Sequence, residues 1–438
     1  MAEIAPFKGL RYDIGKVGAL GRVFAPPYDV IDGPMRDRLI AGSQYNIARI
    51  SRSPEAESEP EAVRYSFAAK LMAEWRKAGV LREDPAPALY AYEQEFAVSG
   101  RTYQRLGIVA GLRLVDFGKG VHPHEETLSG PKADRRLLLE QTRTHMGQIF
   151  GLYPDDAGAV NAAIRKAVGT RRPDLEDRDA DGIVHRMWAI ADQKACAGLV
   201  RILADKDIFI ADGHHRYEVA LKYSREHPEL PQARYVMATL VALSDPGLVV
   251  LPTHRLVHDL AGFSLDKLEK ALSADFRLQS FPFKGEDRQA RLQSCLARLA
   301  EEGRAGRAAF ALYGGGARFT LVTLENPKAM KAAEPSHGDA WRALDVAVLH
   351  TLILDRILGI DKAKLAAKTN IDYLKDNGEA ISEAVARIDA GRAQCVFVMN
   401  PTSVGQVAAV ASTGEKMPQK STFFHPKLYT GMVFMPLA

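Results

Sequence analysis

Five consecutive residues, Asp212, Gly213, His214, His215 and Arg216, concentrate polar chemistry at one point of this chain. They stand between "IFIA", which has the character of a buried strand, and "RYEVALKY", which has the character of a helix. A helix N-terminus presents unpaired N–H groups and partial positive charge, so it attracts anions, phosphate above all. Gly213 permits a positive φ or close backbone approach. Arg216 adds a fork of donors matched to phosphate oxygens. His214 and His215 can donate hydrogen bonds or carry protons, and Asp212 can cap the helix or hold a metal ion. The pattern points to a grip on an anionic group. The alternative is a capping Asp212 followed by surface histidines, which needs an unrelated reason for each residue. Adjacent helical residues point about 100° apart, which argues against one metal ion shared by the two histidines.

Other segments offer partners for such a site. "HPHEET" carries two neighbouring carboxylates, Glu125 and Glu126, either of which could serve as a general base or be an ordinary surface acid. "LPTHRLV" places His254 and Arg255 after a strand, as a second anion-binding edge or a salt-bridged loop. "PPYDV" sets Tyr28 and Asp29 on a stiff, proline-fixed loop, as substrate contacts or as a packing corner. "MPQKSTFFHPK" gathers Lys420, Ser421, Thr422 and Lys427 around two phenylalanines. That mixture of aromatic anchors and cations predicts a segment that folds back toward the mouth of the Asp212–Arg216 turn, with Lys420 reaching a phosphate or remaining solvated. No Walker-type loop, GxGxxG fingerprint or HExxH pair occurs, which weakens P-loop, dinucleotide-binding and zincin readings.

The elements that must position these residues follow from periodicity. "ALYAYEQEFAV" and "TYQRLGIVAGLRLV" flank a Ser99-Gly100 turn and predict a hairpin. Strand-like and helix-like segments then alternate to about Val257, which predicts an α/β unit. Asp259–Ser264 is the predicted boundary. Beyond it come a helix at "SLDKLEKALSADF", a longer one near Arg288–Glu302, a hairpin turning on Gly314–Gly316, an apolar helix "WRALDVAVLHTLILDRIL" and a buried strand "AQCVFVMNP". Val63, Phe67, Leu71 and Trp75 recur every fourth residue and predict one helix face. The resulting division is residues 1–88 packing on a core, 89–260 as that core, and 261–438 as a second α/β domain. A chain of 438 residues exceeds what one hydrophobic core usually spans, in keeping with several domains. A formal charge of +4 and the lack of a basic helix-turn-helix argue against a dedicated nucleic-acid binder. Three scattered cysteines, Cys196, Cys295 and Cys395, suggest neither disulfides nor a zinc site. No signal-peptide pattern or membrane-length apolar run is present, so a cytoplasmic protein is expected.

"APPYDVI", "HPHEET", "IADGHHRYEVAL", "LPTHRLV" and "MPQKSTFFHPK" together resemble domain-of-unknown-function family 1015, from Pro6 to the last residues. "DGHHR" is similar, more distantly, to the signature of free-serine kinases of the ParB/sulfiredoxin superfamily. ParB proteins have a Gly-Glu-Arg-Arg form at this point and sulfiredoxins a Gly-Cys-His-Arg form. The resemblance implies a mixed α/β (α+β) fold with a ParB/sulfiredoxin-like core, an N-terminal extension and a second C-terminal α/β domain. It implies that the loop contacts nucleotide phosphates and that an upstream "HEE"-like segment supplies a glutamate base. "HPHEET" precedes "DGHHR" in that order, but Asp155–Asp192 looks like an insertion between them. The function expected is phosphoryl transfer from ATP or ADP to a hydroxy amino acid such as L-serine, with Mg²⁺. Glu125, Glu126, Asp212 and His215 are its catalytic candidates. Gly213, His214, Arg216, His254, Arg255 and Lys420 are its nucleotide-binding candidates, and Asp212 its metal ligand. The alternative is a nucleotide-binding regulatory protein without the base or, disfavoured by the modest charge, a ParB-like nucleic-acid-associated protein. A homodimer is compatible with the sequence.

Overall fold

The computed structural model describes residues 2–54, 58, 60, 63, 65–125, 129–376 and 378–437. The chain is mixed α/β and forms two compact units. One comprises Met1–Pro123, Thr127–Val249 and Pro426–Ala438, and the other His124–Glu126 and Val250–His425. These limits differ from the sequence-based segments at three places, the first being His124–Glu126, which joins the second unit. Thr253–Val257 pairs with strands of the second unit, so that unit begins before Asp259. The last residues return to the first unit. These differences come from pairings with distant residues, which local composition does not mark.

The first unit is built on a nine-stranded sheet. In chain order its strands are β1 (Ile4–Ala5), β2 (Leu89–Val98), β3 (Arg101–Arg113), β4 (Val121–His122), β5 (Ile149–Tyr153), β6 (Leu175–Arg178), β7 (Val184–Ile190), β8 (Ile208–Asp212) and β9 (Tyr235–Ala242). Their spatial order is β4-β8-β5-β9-β3-β2-β7-β6, with β1 on β3. The β2–β3 hairpin turns at Ser99 and Gly100, both at positive φ, as a two-residue hairpin turn requires. Among the described pairs of this sheet β4–β8 and β5–β9 are parallel and the others antiparallel. The segment expected as an insertion contributes the helix Ala159–Val168, the strand β7 and the edge strand β6. Ile108, Ala110, Ile149, Ile208, Ile210 and Leu240 form the heart of the core with Tyr217 from the helix that follows β8. The periodicity at Val63–Trp75 is displaced. The helix runs Ser66–Lys77 and buries Ala68, Met72 and Trp75, while Val63 and Phe67 are exposed. A spacing of four drifts around a 3.6-residue helix, so Phe67 leaves the face that Trp75 keeps, and Val63 precedes the helix.

The second unit has an antiparallel six-stranded sheet of β10 (Thr253–Val257), β11 (Phe276–Pro282), β12 (Ala309–Tyr313), β13 (Arg318–Leu324), β14 (Ile371–Lys375) and β15 (Cys395–Met399), in the order β11-β13-β12-β15-β10-β14. Helix Arg288–Arg304 buries Leu292, Cys295 and Leu299 in its core. Gly315 and Gly316 turn the β12–β13 hairpin at positive φ. The apolar stretch after Trp341 is not one helix. It divides into Asp339–Arg342, Asp345–Val348 and a π-wound segment Leu349–Asp355. All three cysteines are free and buried. Among the described residues no helix is long and apolar enough to cross a membrane.

Candidate active site

Asp212 ends β8, and the helix His214–Glu226 starts two residues later. Between them Gly213 has φ 95°, a conformation that side chains strain to adopt. A Cβ there would also stand 3.1 Å from both Arg216 Nη2 and Ile149 Cδ1. Gly213 occupies the N-cap without a side-chain cap, so Asp212 does not cap the helix. Its two oxygens are taken by cations instead. Arg216 Nη2 donates to Oδ2 at 2.5 Å, and Lys427 Nζ donates to Oδ1. The three side chains are only 13–16% exposed. Burial by itself raises the Asp212 pKa. Lys427 and Arg216 together outweigh it and hold the carboxyl well below its ordinary range. Arg216 also donates to the Gln148 carbonyl, which fixes the plane of its guanidinium. His214 is buried and His215 half-buried.

Arg216 lines a small cleft of about 60 Å³ together with Tyr28, Arg135, His145 and Thr430. The Arg135 guanidinium lies 4.1 Å over the Tyr28 ring. Burial raises the Tyr28 pKa, opposed by the charges of Arg216 and Arg135. The "PPYDV" loop and the "DGHHR" turn therefore share one cleft.

Lys427 reaches Asp212 because its backbone is clamped. Arg105 is fully buried and donates to the Pro426 carbonyl at 2.5 Å and to the Gln94 side chain. Gln94 Nε2 in turn donates to the Lys427 carbonyl at 3.2 Å. The sequence offered Lys420 as the cation of this segment. The structure pairs Lys427 with Asp212, and only the tail's path, 215 residues from Asp212, distinguishes the two lysines.

Lys420 belongs to the second unit, as do Glu125, His254 and Arg255. There the Lys420 N–H donates to Glu125 Oε1 at 2.8 Å, and its carbonyl accepts from Arg255 Nη2 at 3.0 Å. Glu125 itself forms a bridge with Met417, and His124 Nε2 meets Thr422 Oγ1 at 2.9 Å, so the "HPHEET" and "MPQKST" motifs are laced together. Glu126 lies outside the described residues. Arg255 is buried, its guanidinium 4.8 Å over the Tyr373 ring, and burial lowers its pKa to about 10. His254 points to the other side of β10, where Nδ1 accepts the Met399 N–H at 3.2 Å and Nε2 lies 3.5 Å from Asp376. The site residues thus form two sets, Asp212, Gly213, His214, His215 and Arg216 in the first unit and Glu125, Arg255 and Lys420 in the second.

The family described as "Protein of unknown function (DUF1015)" matches residues 4–347. The chain belongs to the DUF1015 family. No curated protein matches it. Among solved structures it is similar to a free serine kinase in complex with AMP, at 13% identity and a TM-score of 0.33, covering 72% of this chain and 89% of that one. It is also similar to a conserved hypothetical protein from Pyrococcus furiosus, at 15% identity and a TM-score of 0.32, covering 72% and 92%. A third is SbnI with a C-terminal truncation from Staphylococcus aureus, at 10% identity and a TM-score of 0.32, covering 73% and 84%. Likenesses at this level carry no chemistry across. In this DUF1015 member the residues around Asp212 do not assemble a protein-held Mg²⁺ site. Both carboxylate oxygens are engaged by cations, and among the described residues no group of three His, Cys, Asp or Glu could hold a metal ion.

Proposed function

We propose that this protein binds the phosphates of ATP or ADP at the start of helix His214–Glu226 and transfers a phosphoryl group to a small hydroxy amino acid, L-serine being the first candidate. One observation carries the reading. A helix N-terminus without a side-chain cap stands beside two cations, Arg216 and Lys427, held by a single carboxylate. The cluster has an excess positive charge, and a phosphate can take over the two cations while the first-turn N–H groups receive its oxygens. Gly213, His214, His215 and Arg216 would contact phosphate. Released from its ion pairs, Asp212 could face the acceptor or a Mg²⁺ ion brought by the nucleotide. The acceptor class rests on the motif resemblance of "DGHHR" and "HPHEET".

In the step itself a carboxylate, Glu125 or Glu126, would take the hydroxyl proton of the acceptor. The acceptor oxygen bonds to the terminal phosphorus as the bridging P–O bond breaks, leaving a phosphorylated amino acid and a nucleotide shorter by one phosphate. Purified protein should convert ATP or ADP with L-serine, or another hydroxy amino acid, to the phosphorylated product, detected by ³¹P NMR. Glu125→Gln or Glu126→Gln should lower turnover by roughly 10²–10⁴ without loss of nucleotide affinity. Arg216→Ala should weaken nucleotide binding by about 1.5–3 kcal/mol. If both Gln variants turn over at the wild-type rate, neither is the base.

A second reading, a nucleotide-binding regulatory protein, is favoured by the occupied state of the candidate acids. Asp212 is ion-paired on both oxygens and Glu125 Oε1 holds the Lys420 N–H. Tight nucleotide binding with no phosphorylated product from any acceptor would support it.

A further inference from the structure

The second unit contains a cavity of about 130 Å³. Its wall is the π-wound segment Leu349–Asp355, which interrupts an otherwise apolar stretch and turns His350, Thr351 and Asp355 onto the cavity. Such windings are rare and concentrate at functional sites. Trp341 and His337 stack at 3.8 Å on another side, and Leu365 and Met417 add apolar surface.

The charges on this cavity are arranged unusually. Two cations, Lys362 and Lys416, and two carboxylates, Glu334 and Asp355, line it. None of the four forms an ion pair among the described residues. Glu334 Oε1 accepts only the Thr351 hydroxyl, at 3.3 Å. Lys416 is anchored through its backbone, since the Trp341 indole N–H donates to its carbonyl at 2.9 Å, and its ammonium group stays available. Glu334 and Lys416 are half-buried, whereas Asp355 and Lys362 are exposed, so the first two form the inner pair.

His350 adds a donor of fixed polarity. Arg255 Nε lies 3.3 Å from His350 Nε2. A guanidinium only donates, so Nε2 must accept and the ring proton sits on Nδ1. Burial, then the Arg255 charge, hold this imidazole neutral. The ring therefore offers a neutral N–H donor and not a second cation.

We propose that this cavity binds a free L-α-amino acid with an apolar side chain. The ammonium group pairs with Glu334, the carboxylate with Lys416 and the His350 Nδ1–H, and the side chain packs on Trp341, Leu365 and Met417. Balanced charges of both signs suit a zwitterion and disfavour a polyphosphate, whose several negative charges would meet two carboxylates. The site lies in the second unit and stands apart from the phosphoryl-transfer reading.

Calorimetric titration of the full chain with L-leucine, L-methionine and L-phenylalanine tests this. At least one should bind, and its N-acetyl and amide derivatives, each lacking one charge, should bind at least about tenfold more weakly. Lys416→Met and Glu334→Gln should each weaken binding by roughly 10–100-fold. Arg216→Ala should leave it unchanged. The analogue comparison uses the wild type, so the test survives a variant that fails to fold. Absence of binding by all three amino acids, or equal affinity for the N-acetyl and amide analogues, would overturn the proposal. So would binding that Arg216→Ala abolishes, since the amino acid would then occupy the other site.

Discussion

Each unit buries an aspartate, and the two are stabilised in opposite ways. Asp212 of the first unit sits between Lys427 and Arg216, which hold it ionised despite its burial. Asp345 of the second unit opens the helical turn before the π-wound segment, with only neutral partners, the Asn400 side chain and the Ala309 N–H. Burial pushes its pKa up to about 7, and those two hydrogen bonds only partly oppose it. The same side chain is thus a fixed anion where cations converge and an acid that takes up a proton below about pH 7 where they do not. Burial alone does not determine the charge of a carboxyl group. Its partners do.

The strongest way to break this contrast is to remove the anion from the cation pair. Asp212→Ala leaves Arg216 and Lys427 facing each other with little solvent, and should cost about 3–5 kcal/mol in denaturant unfolding of the first unit. The pH dependences should also oppose each other. Asp212 has a depressed folded pKa, so its stabilisation is present above about pH 4 and lost as the pH falls through the folded value. Asp345 has a raised folded pKa, so the second unit should lose stability as the pH climbs from about 4 to about 7. Asp345→Asn should abolish that slope and raise stability at pH 8 by up to about 4 kcal/mol, measured by denaturant titration at pH 5 and pH 8. A smaller effect belongs to the turn that sets Asp212 beside the helix. Gly213→Ala must hold φ near 95° and press on Arg216, and should cost about 1–2 kcal/mol while weakening nucleotide binding. A variant with wild-type stability and nucleotide affinity would mean that neither the left-handed turn nor the Arg216 position matters.

Much of the first unit's framework could be read from the chain, because it is local. The alternation in β2 and β3, the Ser99-Gly100 turn, and the β8–Gly213–helix junction each depend on residues within a few positions of one another. The displaced face of Ser66–Lys77 and the broken helix after Trp341 show the limit of periodicity, which marks apolar spacing but not where a helix changes its winding. The candidate residues around Asp212 could likewise be named from the strand–turn–helix pattern. Arg135 carries no such mark, yet it lies over Tyr28 in the same cleft as Arg216.

By itself the sequence determined family membership, the polar strand-to-helix turn and the likeness of that turn to a phosphate grip, since these reside in contiguous residues. The tertiary structure decided which partners those residues have. It placed Lys427 on Asp212 across 215 positions and Lys420 on Glu125 across 295. The two lysines are seven positions apart in one motif, and their residue type alone does not tell them apart. Only the path of the backbone, clamped by Arg105 and Gln94 in one case and laced to "HPHEET" in the other, brings each to its own carboxylate.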